Sequence, residues 1–374
     1  MRISAAFLAL IPLLAHAGMM GPNRDASGTS WQPDSTPHEG WHLMTDDWML
    51  MAHGVLDFVH DDQGGKRGGE KDFAGGMLML MAEHDDLLLR AMVSPEPLMG
   101  AGGYPLLFAT GETANGRDPL IDRQHPHNLV MELSVTYALG NYYLYAGMPG
   151  EPALGPPAFM HRLSGMDNPE APITHHWLDS THITNGVVTT GRVFGDWKIE
   201  ASAFSGREPN QQRYQINDPN IDSYAARLSV NPTTNWALQV SYGYLKSPEQ
   251  LSPQMSERRA TASASYNLPF GGNDWATTFA WGRKNDLDGF LLESALILQG
   301  DDRFYVRLER ADEEELAATP SKASLGYVHD FPIGEHFAFG IGGTISRYLY
   351  DGALNALYGD NPTSGLLYVR VKLI

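Results

Sequence analysis

The chain contains no cysteine, which excludes disulfide stapling, thiolate metal sites and a lipid-modified cysteine anchor together. Long apolar runs are missing as well. Beyond the first residues, no stretch approaches the roughly 18 apolar residues that a membrane helix needs. Stretches rich in Ala, Glu, Lys and Leu are scarce, and positive charge is short, with 26 Lys and Arg against 44 Asp and Glu for a formal charge of −18. That balance argues against a nucleic-acid partner and leaves cationic small partners, or solubility alone, as its meaning. No GxSxG nucleophile elbow occurs.

What is present points to strands. Glycine (39), proline (24) and 10% aromatics favour an all-β chain. Met1 and Arg2, an apolar run from Ile3 to Leu14 and the small-x-small site Ala15-His16-Ala17 predict an export signal over 1–17. Residues 18–46 carry Pro33, Pro37, His38 and His42 with little periodicity and read as a periplasmic extension or a lumen plug. From 47 to 374, segment after segment alternates at period 2. Trp236, Leu238, Val240 and Tyr242 oppose Gln239 and Ser241, and Leu367, Val369 and Val371 oppose Arg370 and Lys372. One face is nearly free of charge and rich in aromatics.

The connections decide between a soluble sandwich and a membrane barrel. Short turns are expected at 84–86, 140–141, 195–196, 232–235, 269–274, 300–302 and 332–335, and longer polar connections at 60–72, 95–127, 148–181, 207–220, 246–256, 283–289, 312–320 and 349–363. Strict alternation of the two kinds is the asymmetry of an outer-membrane barrel, with tight periplasmic turns and larger external loops. Fifteen connections join sixteen antiparallel strands. Trp197, Trp236 and Trp275 follow short turns at equal spacing, with Tyr142, Phe304 and Phe337 close to the same height, as a periplasmic aromatic girdle requires.

DPLIDRQHPHNLVMEL (Asp118 to Leu133), GEPALGPPAFMHR (Gly150 to Arg162) and NPEAPITHHWLDSTHITNGVVTTG (Asn168 to Gly191) resemble segments of porin-like outer-membrane β-barrels of Gram-negative bacteria. The resemblance implies a cell outer-membrane location, insertion by the outer-membrane assembly machinery, contact with lipid bilayer and lipopolysaccharide, and a homo-oligomer such as many porins form. It transfers no catalytic or ligand residue. The chain departs from the pattern at its end, where Ile374 stands in phase with Arg370 and Lys372 instead of an aromatic in phase with lipid.

Sixteen strands enclose an aqueous lumen, so the expected function is passive diffusion of small polar solutes, and not catalysis. The two longest loops, 95–127 and 148–181, are too apolar to float in water, and one or both are expected to fold inward and constrict the pore. Asp118, Asp122, Arg123, Glu132, Glu151, Arg162 and Asp179 are the constriction candidates. His125, His127, His161, His175, His176 and His182 gather in the same loops, and the H-x-H pair at 125 and 127, read as extended chain, aims both rings one way. Imidazoles and carboxylates there suit a transition metal. Asp179, Ser180 and His182 are the nearest approach to a hydrolytic triad, yet only Ser180 and His182 share a strand face.

Met49, Met51 and His53 on one strand, Met77, Met79 and Met81 on the next, and Met92 on a third fall in the lumen phase. Thioethers select Cu(I), so the alternative function is a barrel that binds or moves copper or silver. The competing explanation is that an inward loop packs on them, methionine being an adaptable filler.

Overall fold

The computed structural model describes residues 24–313 and 316–374; the expected export signal and the first residues of the extension lie outside them. Nineteen strands form among the described residues. The hairpin of Tyr104–Thr113 with Pro119–Gln124 stands apart as its own sheet, Trp41–Met44 adds to one end of Met49–Gln63, and the other sixteen pair antiparallel in chain order. Met49–Gln63 closes the ring on Thr363–Leu373, so the sheet has no open edge. Among the described residues no helix is long and apolar enough to cross a membrane.

Period 2 in the sequence becomes two faces of one wall. On strand Gly69–His84, Leu78 and Leu80 are 41% and 51% exposed on the outside, whereas Met77 and Met79 are 2% and 6% exposed on the inside. Val240, Tyr242, Leu308, Ile341, Leu367 and Val371 continue the outer apolar band. Trp197, Trp236, Tyr142 and Phe337 each begin the strand after a short turn, Trp275 and Phe304 are the third residues of theirs, and all six are exposed. They stand at one rim because each hairpin re-enters the sheet at the same height. On the inner face Tyr305 lies flat across Gly326, where a Cβ would come within 2.1 Å of its ring, and its hydroxyl reaches Tyr368 at 3.0 Å.

Seven short turns at one end agree with expectation, but two of the long connections do not. Strand Met49–Gln63 runs on to meet Gly69–His84, so 60–72 is mostly ladder, with His60 opposite Asp72 and Asp62 opposite Glu70. The connection 283–289 is a two-residue turn, Asn285 and Asp286, because Arg283 and Asp288 pair across the sheet. Both errors have one cause. Strands that rise past the apolar band become polar on both faces, and polarity alone makes them look like loop.

Residues 24–36 lie inside the barrel. Arg227 donates to the Thr29 hydroxyl at 2.9 Å, Lys198 to the Thr29 carbonyl, Asn231 to the Gln32 carbonyl at 2.9 Å and Asn267 to the Ser35 carbonyl at 2.8 Å. The chain then leaves as the exposed strand Trp41–Met44, which pairs with Met49–Ala52 on the edge that Thr363–Leu373 vacates beyond Val55.

Candidate functional site

Inside the ring, charges on the strands interlock with one another and with charges on the loops. Arg227, Arg303, Arg307, Lys322 and Arg370 project inward from four strands and are almost fully buried. The loop 148–186 threads between them. Arg162 donates to Glu293 at 2.8 Å and to Asp179 at 2.6 Å; Arg307 donates to Glu293 at 2.8 Å and to the Glu170 carbonyl at 2.7 Å. Lys322 pairs with the Glu170 carboxylate, and Arg370 donates to Asp167 at 2.8 Å. Gly165 sits so close to Glu293 that a Cβ would stand 2.5 Å from both carboxylate oxygens, which only glycine allows. Burial works against the charge on Arg162, yet Glu293 and Asp179 hold its pKa above the ordinary value. Burial likewise opposes the Asp179 carboxylate, and Arg162 and His175 more than offset it, holding Asp179 below the usual range.

The hairpin of Tyr104–Thr113 and Pro119–Gln124 fills the external half. Buried Asp122, with φ of 57°, accepts from Arg67 at 2.5 Å, from the Phe108 amide at 2.8 Å and from the Tyr358 hydroxyl at 3.0 Å. It thereby ties the hairpin to two external connections. Arg123 turns the other way and donates to the Gly102 and Gly103 carbonyls. Asp118 is exposed at the hairpin tip, bonded to Asn115 at 2.9 Å, and faces no wall cation. Glu132 belongs to strand Val130–Leu139, where it accepts from Tyr145 at 3.0 Å and lies 3.7 Å from Arg90. Glu151 is packed under Gly28, and burial pushes its carboxyl up to about 8 against the pull of Arg227.

The six loop histidines separate into three groups. His127, His175 and His182 converge, one nitrogen of each lying within 4.8 Å of the others. His125 instead lies 3.4 Å from Glu112, with its ring 5.8 Å from that of His176, which packs on Gly111. The expected co-directed pair at 125 and 127 is thus divided, since strand Pro119–Gln124 ends before it and Pro126 intervenes. His161 faces His53 at 6.3 Å between ring centroids. Burial pushes His125 and His161 down to about 3, and lowers His175, His176 and His182 as well, so these rings are neutral near pH 7.

Met77, Met79 and Met92 pack with Met131 and Ile183, with Met81 and Met160 against the same cluster. Met51 stands opposite Met81, and His53 opposite Met79, in the strand register. Met49, opposite Glu83, is half-buried at the rim. Met51, Met79, Met81, His53 and His161 line a cavity of about 70 Å³; a second one beside Gly111 and His176 holds about 20 Å³.

No triad forms from 179–182. Ser180 accepts from Arg259 at 2.9 Å and leans toward Glu208 at 3.5 Å, while His182 Nδ1 meets the backbone carbonyl of Asp179, not its carboxylate. The sequence also holds HEGWH, His38 to His42, whose spacing is that of a zinc-protease motif when carried on a helix. Here the segment runs from loop into strand, and Glu39 is taken up by Arg303 and Lys372. The wall cations that hold Asp167 and Glu170 are not among the sequence candidates. Inward phase on alternating strands, visible at Arg307 and Arg370, was the signal for them.

No protein-family model matches the chain, and no curated sequence does. Solved structures match by shape. An anion-selective porin from Comamonas acidovorans is 11% identical with a TM-score of 0.53, 88% of this chain covering 100% of that one. OmpF of Salmonella typhi, solved with daunomycin, is 11% identical with a TM-score of 0.55 over 89% and 100%, and OprB of Pseudomonas putida is 9% identical with a TM-score of 0.55 over 87% and 94%. The chain has the porin fold.

Proposed function

We propose that this protein is a porin-like outer-membrane channel for small polar solutes, whose lumen is closed by its own loops until they shift. The observation that carries the reading is the closed sixteen-strand ring with an apolar, aromatic-rimmed outside and a charged inside. Such a ring is stable only with lipid around it, and its inward charges have a use only if polar matter passes or a plug is held there. Residues 24–39 and the loop 148–186 act as that plug, with Arg162, Glu151 and Asp179 at the constriction and Asp122 and Arg123 fixing the hairpin above it. Export by the 1–17 signal, insertion by the assembly machinery and contact with lipopolysaccharide belong to the same reading, as does a homo-oligomer, which native-gel mass tests.

Planar-bilayer recording decides it. Brief conductance steps are expected from the wild-type chain, and larger, longer ones from Glu170→Ala, which frees the loop from Lys322. Silence from both variants, in protein shown to be folded, overturns the channel. The copper and silver alternative loses its motive, because methionines packed on one another and on Ile183 are accounted for as filling.

A further inference from the structure

We propose that His127, His175 and His182 form a binding site for one divalent transition-metal ion of the Zn²⁺ type, clamping the two lumen-filling loops together. The three rings come from separate pieces of chain: the segment after strand Pro119–Gln124, the helical turn His175–Leu178 and the turn Ser180–His182. They are 4%, 1% and 4% exposed. Three imidazoles brought together in a protein interior without a ligand have little to gain from one another.

Two of the rings are oriented by hydrogen bonds from behind, and the third lies beside a carboxylate. His175 Nδ1 meets the Asp179 carboxylate at 2.7 Å, His182 Nδ1 the Asp179 carbonyl at 2.7 Å, and His127 Nδ1 lies 3.0 Å from Glu96 Oε1. In His175 and His182 a partner at Nδ1 fixes the tautomer and leaves Nε2 as the electron-pair donor, the outer-shell arrangement that metal-ligating histidines use. Both ring nitrogens of His127 and Nε2 of His182 are buried without a hydrogen-bond partner. Phe159 stacks on His127 and meets His175 and His182 edge-on, at 6.0, 5.5 and 6.5 Å between centroids, and gives the triangle an apolar neighbour.

An ion about 2.0–2.1 Å from each nitrogen requires neighbouring nitrogens about 3.3 Å apart, so nitrogens now within 4.8 Å of one another close by at most roughly 1.5 Å on loading. Side-chain rotation supplies that. Three neutral nitrogens suit Zn²⁺, Co²⁺ or Cu²⁺ and not the soft Cu(I) or Ag(I) that thioethers prefer. Among the described residues no fourth His, Asp or Glu joins the group, so the ion keeps one position for water or a small anion. This site is distinct from the methionine cluster and does not depend on the channel reading.

The test uses the full chain folded in detergent micelles, stripped with EDTA and titrated with Co²⁺. One Co²⁺ per chain with visible ligand-field absorption, displaced by Zn²⁺, is the expected result. His127→Asn and His182→Asn each weaken binding about tenfold or more, while His42→Gln and Met77→Leu leave it unchanged. Folded wild-type protein that takes up no stoichiometric Co²⁺, or histidine variants that bind as well as wild type, overturns the site. If a variant does not fold, proton NMR of the Co²⁺-loaded wild type replaces it: three shifted imidazole N–H signals support the site, and fewer than three sink it. Conductance is read separately, so a silent barrel that binds Co²⁺ refutes the channel alone.

Discussion

The two walls of the lumen are filled by opposite chemistry. On the strands from Met49 to Val93, thioethers face inward and meet apolar loop residues; on the strands from Leu287 to Leu373, inward charges form ion pairs with loop charges, Lys322 with Glu170, Arg370 with Asp167 and Glu293 with Arg162. A thioether surface accepts a loop in several registers, because methionine has three rotatable bonds and no directional demand. An ion-pair surface accepts one register, since each carboxylate must reach its own cation or leave a charge buried alone. The difference assigns adhesion to the first wall and position to the second.

The largest effect is expected on the charged wall. Glu170→Ala strands Lys322 and is predicted to cost about 3–5 kcal/mol in urea unfolding from micelles, whereas Glu170→Leu with Lys322→Met restores most of it. A double variant as unstable as the single one would break the comparison. On the thioether wall, Met77→Ala costs about 2–5 kcal/mol through the cavity it leaves, and Met77→Leu less than about 1.5 kcal/mol; equal losses for both would mean the wall is as directional as the other.

Glu151 sharpens the boundary between the walls. Its buried carboxyl holds a proton more tightly than an unfolded one, with a pKa of about 8 against an ordinary value of 4.5. Its contribution is therefore complete below about pH 4.5 and is lost as pH rises through about 8. Glu151→Gln is expected to flatten the unfolding midpoint across that window; an unchanged slope would show that Glu151 is ionised when folded. The smallest effect lies outside both walls, at Trp236, whose ring stands 4.7 Å from that of Tyr266. Trp236→Ala is predicted to cost about 0.5–1.5 kcal/mol, measured by the same unfolding.

Much of this architecture is legible in one dimension, for stated reasons. A strand's side chains alternate faces by stereochemistry, so Leu78 and Met77 are assigned opposite sides without any partner. Asn141, Asp196 and their like mark turns by local preference. Where the rule depends on neighbours, reading fails: the ladder at 60–72 and the turn at Asn285 look like loops because their hydropathy carries no phase, and their identity comes from the strand opposite. The candidate site divides in the same way. Arg162 and Asp179 are readable as buried charges in an apolar loop, but Glu293, 114 residues beyond Asp179, joins them only through closure of the ring.

Histidine shows the limit most plainly. Composition marks six of them as crowded into two loops, and spacing favours 125 with 127, yet the triangle is His127, His175 and His182. Period-2 alternation and turn chemistry, both local, determine that this chain is a sixteen-strand barrel with an apolar outside. Which loop atoms meet inside depends on contacts between residues far apart in sequence, and those are decided only when closure of the barrel brings the loops into one small volume.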